Sequence, residues 1–334
     1  MRAAVLTPDP SQPPLSVEDW PLPAVPDGWV LVKLKRAALN RLDEMTVRDR
    51  ADFTTPVVIG SDGAGTIAQV SSTVTTVAVG EEVIVSPSLW WGDDEAAPGP
   101  RYEILGAPTQ GTHAQYVAIP AENAYPKPEE LSWDEAAALP LAGMTAWRAL
   151  VTRGRLAAGE TVIIGAASSG VGSYAVQLAT ALGARVVAVT SSPEKATEAR
   201  ALGAAEVVLR DSDDFADQLA AATDGRADLS LDPTGALWQP FLAATRPGGR
   251  LVALGQMASA QATVRVQTVY WRQVDILGSS MGSPADFDAL LDNLAAHPWR
   301  PVIDSVHPLS EIAAAYDRLD SPERVGKVVI VVED

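Results

Sequence analysis

Between Thr161 and Ala179 the chain reads TVIIGAASSGVGSYAVQLA, an apolar run that breaks into small residues and reopens with helical spacing. A turn of this kind can cradle phosphate, because the first turn of the following helix presents unpaired N–H groups at the positive end of its dipole. A dinucleotide fingerprint asks for three glycines: one for the tight turn, one for close approach of the pyrophosphate, and one for packing helix on strand. Ala167, Ser169 and Gly172 stand at those places. Ala167 and Ser169 are the smallest substitutes, and a serine hydroxyl can itself donate to phosphate. Gly170 keeps local flexibility and Gly172 retains the packing position. Taken alone, so altered a motif reads equally well as a structural strand-to-helix turn.

A second constellation weighs in. About 20 residues past the glycines, an NAD site usually carries Asp or Glu for the ribose hydroxyl. Here the chain reads VTSSPEK, with Thr190, Ser191 and Ser192 at that point and Lys195 one turn later. Hydroxyls with a cation suit a 2′-phosphate, so NADPH is expected over NADH. The plainer alternative is a solvated helix start with Pro193 in its first position.

These residues need elements to hold them. After Tyr125 the sequence alternates strand and helix: TVIIG, RVVAVT (185–190), AEVVL (205–209), ADLSLD (227–232), GRLVALG (249–255) and VDILGSS (274–280) are short apolar runs, with amphipathic segments between most. Val171, Tyr174, Ala175, Leu178, Ala179 and Leu182 make one helical face. This pattern predicts a doubly wound parallel sheet. Before Tyr125, β-rich runs such as VLVKLKRAAL (30–39), VVIGSDGAGTIAQV (57–70) and EEVIVSP (81–87) alternate with Gly, Pro and Asp clusters and predict a compact β domain. The chain finishes with helix patterns at 284–297 and 309–319 and a strand, GKVVIVV (326–332). The expected division is a dinucleotide-binding domain at 125–280 and a β-rich domain at 1–124 and 281–334.

Composition excludes several alternatives. The 334 residues carry a formal charge of −17, which repels nucleic acid and anionic membranes. A phosphorylated cofactor must therefore find local cations or backbone N–H groups. No apolar run approaches the roughly 18 residues of a membrane span, and MRAAVLTPDP is too soon polar for a signal peptide. Without cysteine there are no disulfides and no thiolate metal ligands. A cytoplasmic location is the simplest expectation.

Together the motifs resemble the medium-chain dehydrogenase/reductase superfamily, in its zinc-free, quinone-oxidoreductase-like branch. The resemblance rests on AALNRLDEM (37–45), GSDGAGTI (60–67), LPLAGMTAWRAL (139–150), the fingerprint, ALGAAEVVL (201–209), GGRLVALG (248–255), ILGSSMG (276–282) and VGKVVIV (325–331), in order along nearly the whole chain. It implies an α/β fold, a Rossmann domain joined to a GroES-like catalytic domain. Zinc-dependent relatives hold a catalytic metal with two cysteines and a histidine; the matching positions here are Asn40, Ser61 and Leu141, so no metal is expected. The relatives' four-cysteine structural zinc loop corresponds to residues 86–106, which contain no cysteine. His113, His297 and His307 are widely separated and read as surface or capping residues.

By the same resemblance, Asn40 and Thr145 are the catalytic candidates, approaching the nicotinamide end, and Gly170 and Val171 approach the pyrophosphate, with Ala167, Ser168 and Ser169 completing the cofactor-binding turn. Thr190, Ser191, Ser192 and Lys195 face the 2′-phosphate, with Arg210 where the family often has a tyrosine. Leu254, Gly255, Gln256, Ser279 and Ser280 line the nicotinamide ribose, and Lys327 closes over the cofactor. Each also has a structural reading: Gly255 or Ser279 ending a strand, Lys327 an edge charge, Asn40 a turn cap, Arg210 a solvated partner of Asp211.

The implied activity is NADPH-dependent hydride transfer to a quinone or α,β-unsaturated carbonyl. Alternatives are a metal-independent carbonyl or alkene-thioester reductase, or a cofactor-binding protein without catalysis. A homodimer or higher homo-oligomer, built partly on the sixth Rossmann strand, is also implied. Asp62 reads as a loop anchor accepting backbone N–H groups. Trp90 and Trp91 could wall a planar acceptor, though packing of the shortened loop is favoured.

Overall fold

Strand Trp29–Ala38, WVLVKLKRAA, shows how the first part of the chain folds. Val30, Val32 and Leu34 recur with period two, fall on one face, and join Ile67, Val83, Val85, Val117 and Ile119 in one buried cluster. Each such side chain removed from water contributes about 1.5–3 kcal/mol before entropy is charged against it. The computed structural model describes residues 1–106 and 108–333, and the chain divides into two units: Met1–Leu141 with Ser283–Phe287 and Arg300–Asp334, and Ala142–Gly282 with Asp288–Trp299.

In the first unit, a three-stranded antiparallel sheet sets Arg2–Leu6 between Leu15–Asp19 and Val57–Val58. A seven-stranded sheet runs Ala124–Pro126, Glu82–Val85, Asp62–Val70, Trp29–Ala38, Lys327–Val331 and Ile303–Pro308, with Tyr116–Pro120 also paired to Trp29–Ala38. The strand at Lys327 therefore closes on the opening strands from the far end of the sequence. The sequence boundary at Tyr125 falls short of the observed one at Leu141. Helix Trp133–Ala138, capped by Ser132, packs on strands Trp29–Ala38 and Asp62–Val70 and so stays with the first unit. At the other end, Asp288–Trp299 belongs to the second unit, where Tyr174 and Trp299 meet edge to face at 6.0 Å.

The second unit is a parallel six-stranded sheet: β1 (Thr161–Ile164), β2 (Arg185–Thr190), β3 (Glu206–Leu209), β4 (Ala227–Asp232), β5 (Thr245–Ala253) and β6 (Asp275–Gly278). Their spatial order is 3-2-1-4-5-6, and the order reverses between β1 and β4, where a doubly wound sheet opens its ligand crevice. The expected α/β class, a doubly wound parallel sheet in one unit and a β-rich fold in the other, is the observed one. One element has no sequence signal: a π-helix at Arg148–Arg153 continues helix Pro140–Trp147 and buries Arg148. Among the described residues no helix is long and apolar enough to cross a membrane.

Candidate active site

The phosphate-type turn leaves β1 at Gly165 and enters helix α1 (Gly170–Ala181). Ser169 is its N-cap, its hydroxyl accepting the Gly172 N–H at 3.0 Å. Ala166 carries a left-handed φ of +47°, the backbone twist that a non-glycine seldom adopts. A Cβ on Gly172 would lie 2.1 Å from the Ala166 carbonyl oxygen, so the one fingerprint glycine retained is the one sterics demand. Ala167 and Ser168 are buried, and the Ala167 N–H donates to Val189 O of β2. Ser169, Gly170 and Val171 remain partly accessible, and helix geometry leaves the first N–H groups without partners inside the helix.

At the end of β2, Thr190 is buried while Ser191 and Ser192 are partly open. Ser192 caps helix α2 (Pro193–Ala201) and accepts the Lys195 N–H at 3.4 Å. Glu194 lies in the same turn. Its own backbone N–H and the Ser192 hydroxyl hold its carboxyl below the usual range. Arg210 follows β3, its N–H donating to Thr190 O, and its exposed guanidinium pairs with Asp211 at 3.2 Å. Leu254 donates through its N–H to Asp232 O, Ser279 to Ala253 O, and Gly255, Gln256 and Ser280 are exposed. The Ser279 hydroxyl is buried with no partner among the described residues.

Thr145, on helix Pro140–Trp147, is buried in the second unit; Asn40 and Lys327 belong to the first. There Asn40 stands at the N-cap of helix Arg41–Arg48 and its N–H donates to Asp43 Oδ2 at 2.7 Å. Its side-chain Nδ2 donates to Asp62 Oδ2 at 2.9 Å, and Lys327 Nζ donates to Asn40 Oδ1 at 2.5 Å and to Asp62 Oδ2 at 3.0 Å. Asp62 Oδ1 accepts the Leu141 N–H at 2.8 Å, and Ser61 Oγ donates to Asp43 Oδ1 at 3.3 Å. Asp62 does anchor a backbone N–H, as its place between glycines suggests, but two side chains also converge on it. Lys327 is neither an edge charge nor an open one: its side chain is 3% exposed.

Burial and the neighbouring Asp62 charge push the Asp43 carboxyl up to about 7, against the Asn40 N–H, Lys327 and Ser61. His113 corrects an expectation. It is fully buried rather than superficial, its ring lying against Gly60, where an added Cβ would come within 2.4 Å. Burial first, then the Lys327 charge, push its pKa down to about 3 against a weak backbone interaction with Ala38, and neither ring nitrogen has a hydrogen bond of normal geometry among the described residues. His297 and His307 do make local contacts, to Asn293 O and Ser305 Oγ. Trp91 is buried edge to face on Tyr102 at 5.1 Å, and Trp90 packs against Trp29 at 6.3 Å with Arg101 over its ring. Both indoles pack the loop.

Asn40, Ser61 and Leu141, the positions matching zinc ligands, offer an amide, a hydroxyl and an alkyl chain, with the first two engaged by carboxylates. Zinc takes thiolate, imidazole or carboxylate ligands, so this set does not fit it. Among the described residues no group of three or more His, Asp or Glu could hold a metal ion.

Comparison with known proteins matches residues 26–129 to the alcohol dehydrogenase GroES-like domain and residues 170–296 to the zinc-binding dehydrogenase family. A solved NAD-dependent alcohol dehydrogenase is 36% identical with a TM-score of 0.92, each chain covered in full. The crotonyl-CoA reductase of Streptomyces collinus is 37% identical over 47% of this chain and 37% of its own length. A 2-octenoyl-CoA carboxylase reductase, solved with NADP and 2-octenoyl-CoA, is 26% identical with a TM-score of 0.85, covering all of this chain and 88% of its own. The chain belongs to the medium-chain dehydrogenase/reductase superfamily.

Proposed function

We propose that the protein is an NADPH-dependent oxidoreductase that transfers hydride to an electron-poor acceptor, a quinone or an α,β-unsaturated carbonyl, without zinc. The observation that carries this reading is that Asn40, Ser61 and Leu141, at the positions matching a metal site, offer an amide, a hydroxyl and an alkyl chain, with Asn40 tied into a buried cluster with Asp62 and Lys327. Alkoxide formation from an alcohol needs a Lewis acid at neutral pH, and these residues supply none. Reduction of a conjugated acceptor needs only placement and a polarised oxygen.

The Ala167–Val171 turn, its capped helix and the partnerless Ser279 hydroxyl suit a dinucleotide across the carboxyl ends of the strands. When bound, the dihydronicotinamide supplies the hydride, and water supplies the proton that completes reduction. Thr190, Ser191, Ser192 and Lys195 are the residues for the 2′-phosphate, with Arg210 nearby. Asn40, Thr145, Leu254, Gly255, Gln256 and Ser280 stay assigned to the nicotinamide end.

Within the acceptor class, an acyl-thioester alkene is a specific second reading, favoured by the likeness to the crotonyl-CoA and 2-octenoyl-CoA reductases. A single screen separates the two. NADPH oxidation is followed against quinones, enones, aldehydes and acyl-thioester alkenes in one buffer, with metal analysis of the same sample. Turnover of simple enones or quinones by zinc-free protein is expected. Stoichiometric zinc with alcohol oxidation would replace this reading with an alcohol dehydrogenase.

A homodimer through the sheet edge belongs to the same proposal. β6 is an edge strand, and Ile276 on it and Val266, Tyr270 and Trp271 on helix Val266–Arg272 are exposed, Trp271 by 76%. Apolar residues on an open edge are a liability for a monomer. Light scattering is expected to give twice the chain mass; the monomer mass would remove the dimer.

A further inference from the structure

Four segments far apart in sequence meet at one carboxylate in the first unit. Asp62 takes hydrogen bonds from Asn40, Leu141 and Lys327, and Lys327 also donates to Asn40. The partners fix which way the Asn40 amide lies. An ammonium has only donors and an ionised carboxylate only acceptors, so Oδ1 must face Lys327 and Nδ2 must face Asp62. A flipped amide would set donor against donor and acceptor against acceptor. The backbone is held as well, by Asp43 on the Asn40 N–H.

Hydrogens are what the cluster has left over. Asn40 keeps its second Nδ2 hydrogen and Lys327 its third ammonium hydrogen, while the most deeply buried member, Asp62, is 0% exposed. A site that presents donors backed by a buried cation selects an acceptor atom that gains negative charge, and rejects a hydroxyl that must donate.

We infer that Asn40 is the group that binds the acceptor's carbonyl oxygen, with Asp62 and Lys327 as positioning residues that lock its amide donor-outward. This rests on the reductase reading above and goes beyond it by assigning the oxygen its partner. As hydride adds to the β-carbon, the C=C electron pair shifts to form the enolate, and the charge gathers on the carbonyl oxygen. The Asn40 N–H donates to that oxygen in place, without reorienting. The α-carbon then takes a proton from water, so the acceptor gains one hydride and one proton as the cofactor is oxidised.

The test compares Asn40→Ala, Lys327→Met, Lys327→Arg and the Asn40→Ala/Lys327→Met double variant, using an enone and NADPH. Loss of one preorganised oxyanion donor costs about 10²–10³ in kcat, so Asn40→Ala is expected to fall by that much with NADPH affinity within about threefold. Lys327→Met is expected to lower kcat in the parent and hardly at all in the Asn40→Ala background, because it acts through Asn40. Lys327→Arg restores part of the loss. A binding readout accompanies these: substituted phenolates, mimicking the enolate oxygen, are expected to bind the parent–NADP⁺ complex more tightly than the Asn40→Ala complex. If Asn40→Ala fails to fold, Asn40→Leu, which keeps the volume, takes its place in every measurement. Undiminished kcat in the Asn40 variant, or Lys327→Met losses of equal size in both backgrounds, would overturn the inference. A parent protein that neither binds NADPH nor reduces any acceptor would instead bring down the reductase reading itself.

Discussion

The two candidate regions are built in opposite ways. In the second unit the cradle is local: Ser169 caps the helix that begins one residue later, and Ser192 reaches only to Lys195. Its side chains are partly open, and its charges are mixed, with Glu194 and Asp211 beside Lys195 and Arg210. In the first unit the cluster is closed and non-local. Its contacts join residues 22, 79, 265 and 287 positions apart, and its charges sit within a few ångströms of one another, out of water. One region offers backbone to whatever arrives; the other has committed its side chains in advance. Loss of the Asp62 carboxylate at the centre of the closed cluster should therefore register as stability, loss of the donor that Asn40 has left over as turnover, and substitutions in the open cradle as cofactor affinity.

The largest test of that contrast is Asp62→Ala. It leaves the buried Lys327 ammonium without its carboxylate and removes the acceptor for Asn40 and Leu141. Breaking one side of a buried pair costs about 3–5 kcal/mol, and urea unfolding is the measurement. A loss under about 1 kcal/mol would mean that the cluster is not the closed element described.

Lys195→Ala probes the open side. Removing one hydrogen bond to a charged group is worth about 1.5–3 kcal/mol, so NADPH affinity is expected to fall tenfold to more than a hundredfold. NADH affinity and melting temperature should stay put. Equal losses for both cofactors in titration calorimetry would take Lys195 away from the 2′-phosphate.

Titration of the closed cluster gives a finer test. His113 titrates near 3 when folded and near 6.5 when unfolded, so between those values the unfolded chain binds more protons. Its neutral form is accommodated above pH 6.5, and stability is lost as pH falls below it, by about 1.4 kcal/mol per unit. Asp43 has the reverse sign. With its folded value raised from 3.8 to about 7, the folded state binds the extra proton, and stability falls as pH rises through that window. His113→Phe should flatten the acid side of a plot of melting temperature against pH, and Asp43→Asn should flatten the side toward neutrality. Parallel curves for parent and variants would show that neither group is held as described.

The same contrast explains which features are legible in the sequence. The six apolar runs after Tyr125 are the six parallel strands, because each carries its own periodicity and its own turn. The helix cap at Ser169 and the packing role of Gly172 are legible for the same reason, being settled within a few residues. Lys327 takes from sequence only a role borrowed from relatives. Nothing in VGKVV says that its ammonium turns toward Asn40, since that depends on the strand Lys327–Val331 pairing with Trp29–Ala38. His113 reads as superficial because nothing local marks it otherwise; its burial is decided by Gly60, far from it in sequence. The boundary at Leu141 leaves no local mark either. Helix Trp133–Ala138 lies beyond Tyr125, where the sequence changes character, yet it packs on strands of the first unit.

The smallest expected effect bears on the choice between the two cofactors. Glu194 stands in the turn that Ser192 caps, ionised and hydrogen-bonded to the Ser192 hydroxyl. A carboxylate there competes with a 2′-phosphate for the same hydroxyl and repels its charge, whereas a ribose hydroxyl could donate to it. Glu194 is exposed, so water and salt screen the repulsion, and surface charge pairs typically change affinity by no more than about fivefold. Glu194→Gln is expected to tighten NADPH by about two- to fivefold at low ionic strength, to leave NADH unchanged or slightly weaker, and to lose its effect in high salt. Should it weaken NADH tenfold and leave NADPH alone, Glu194 would be a ribose ligand. The hydroxyls of VTSSPEK would then serve an NAD site, and the open cradle would owe its specificity to the carboxylate that the sequence places between Pro193 and Lys195.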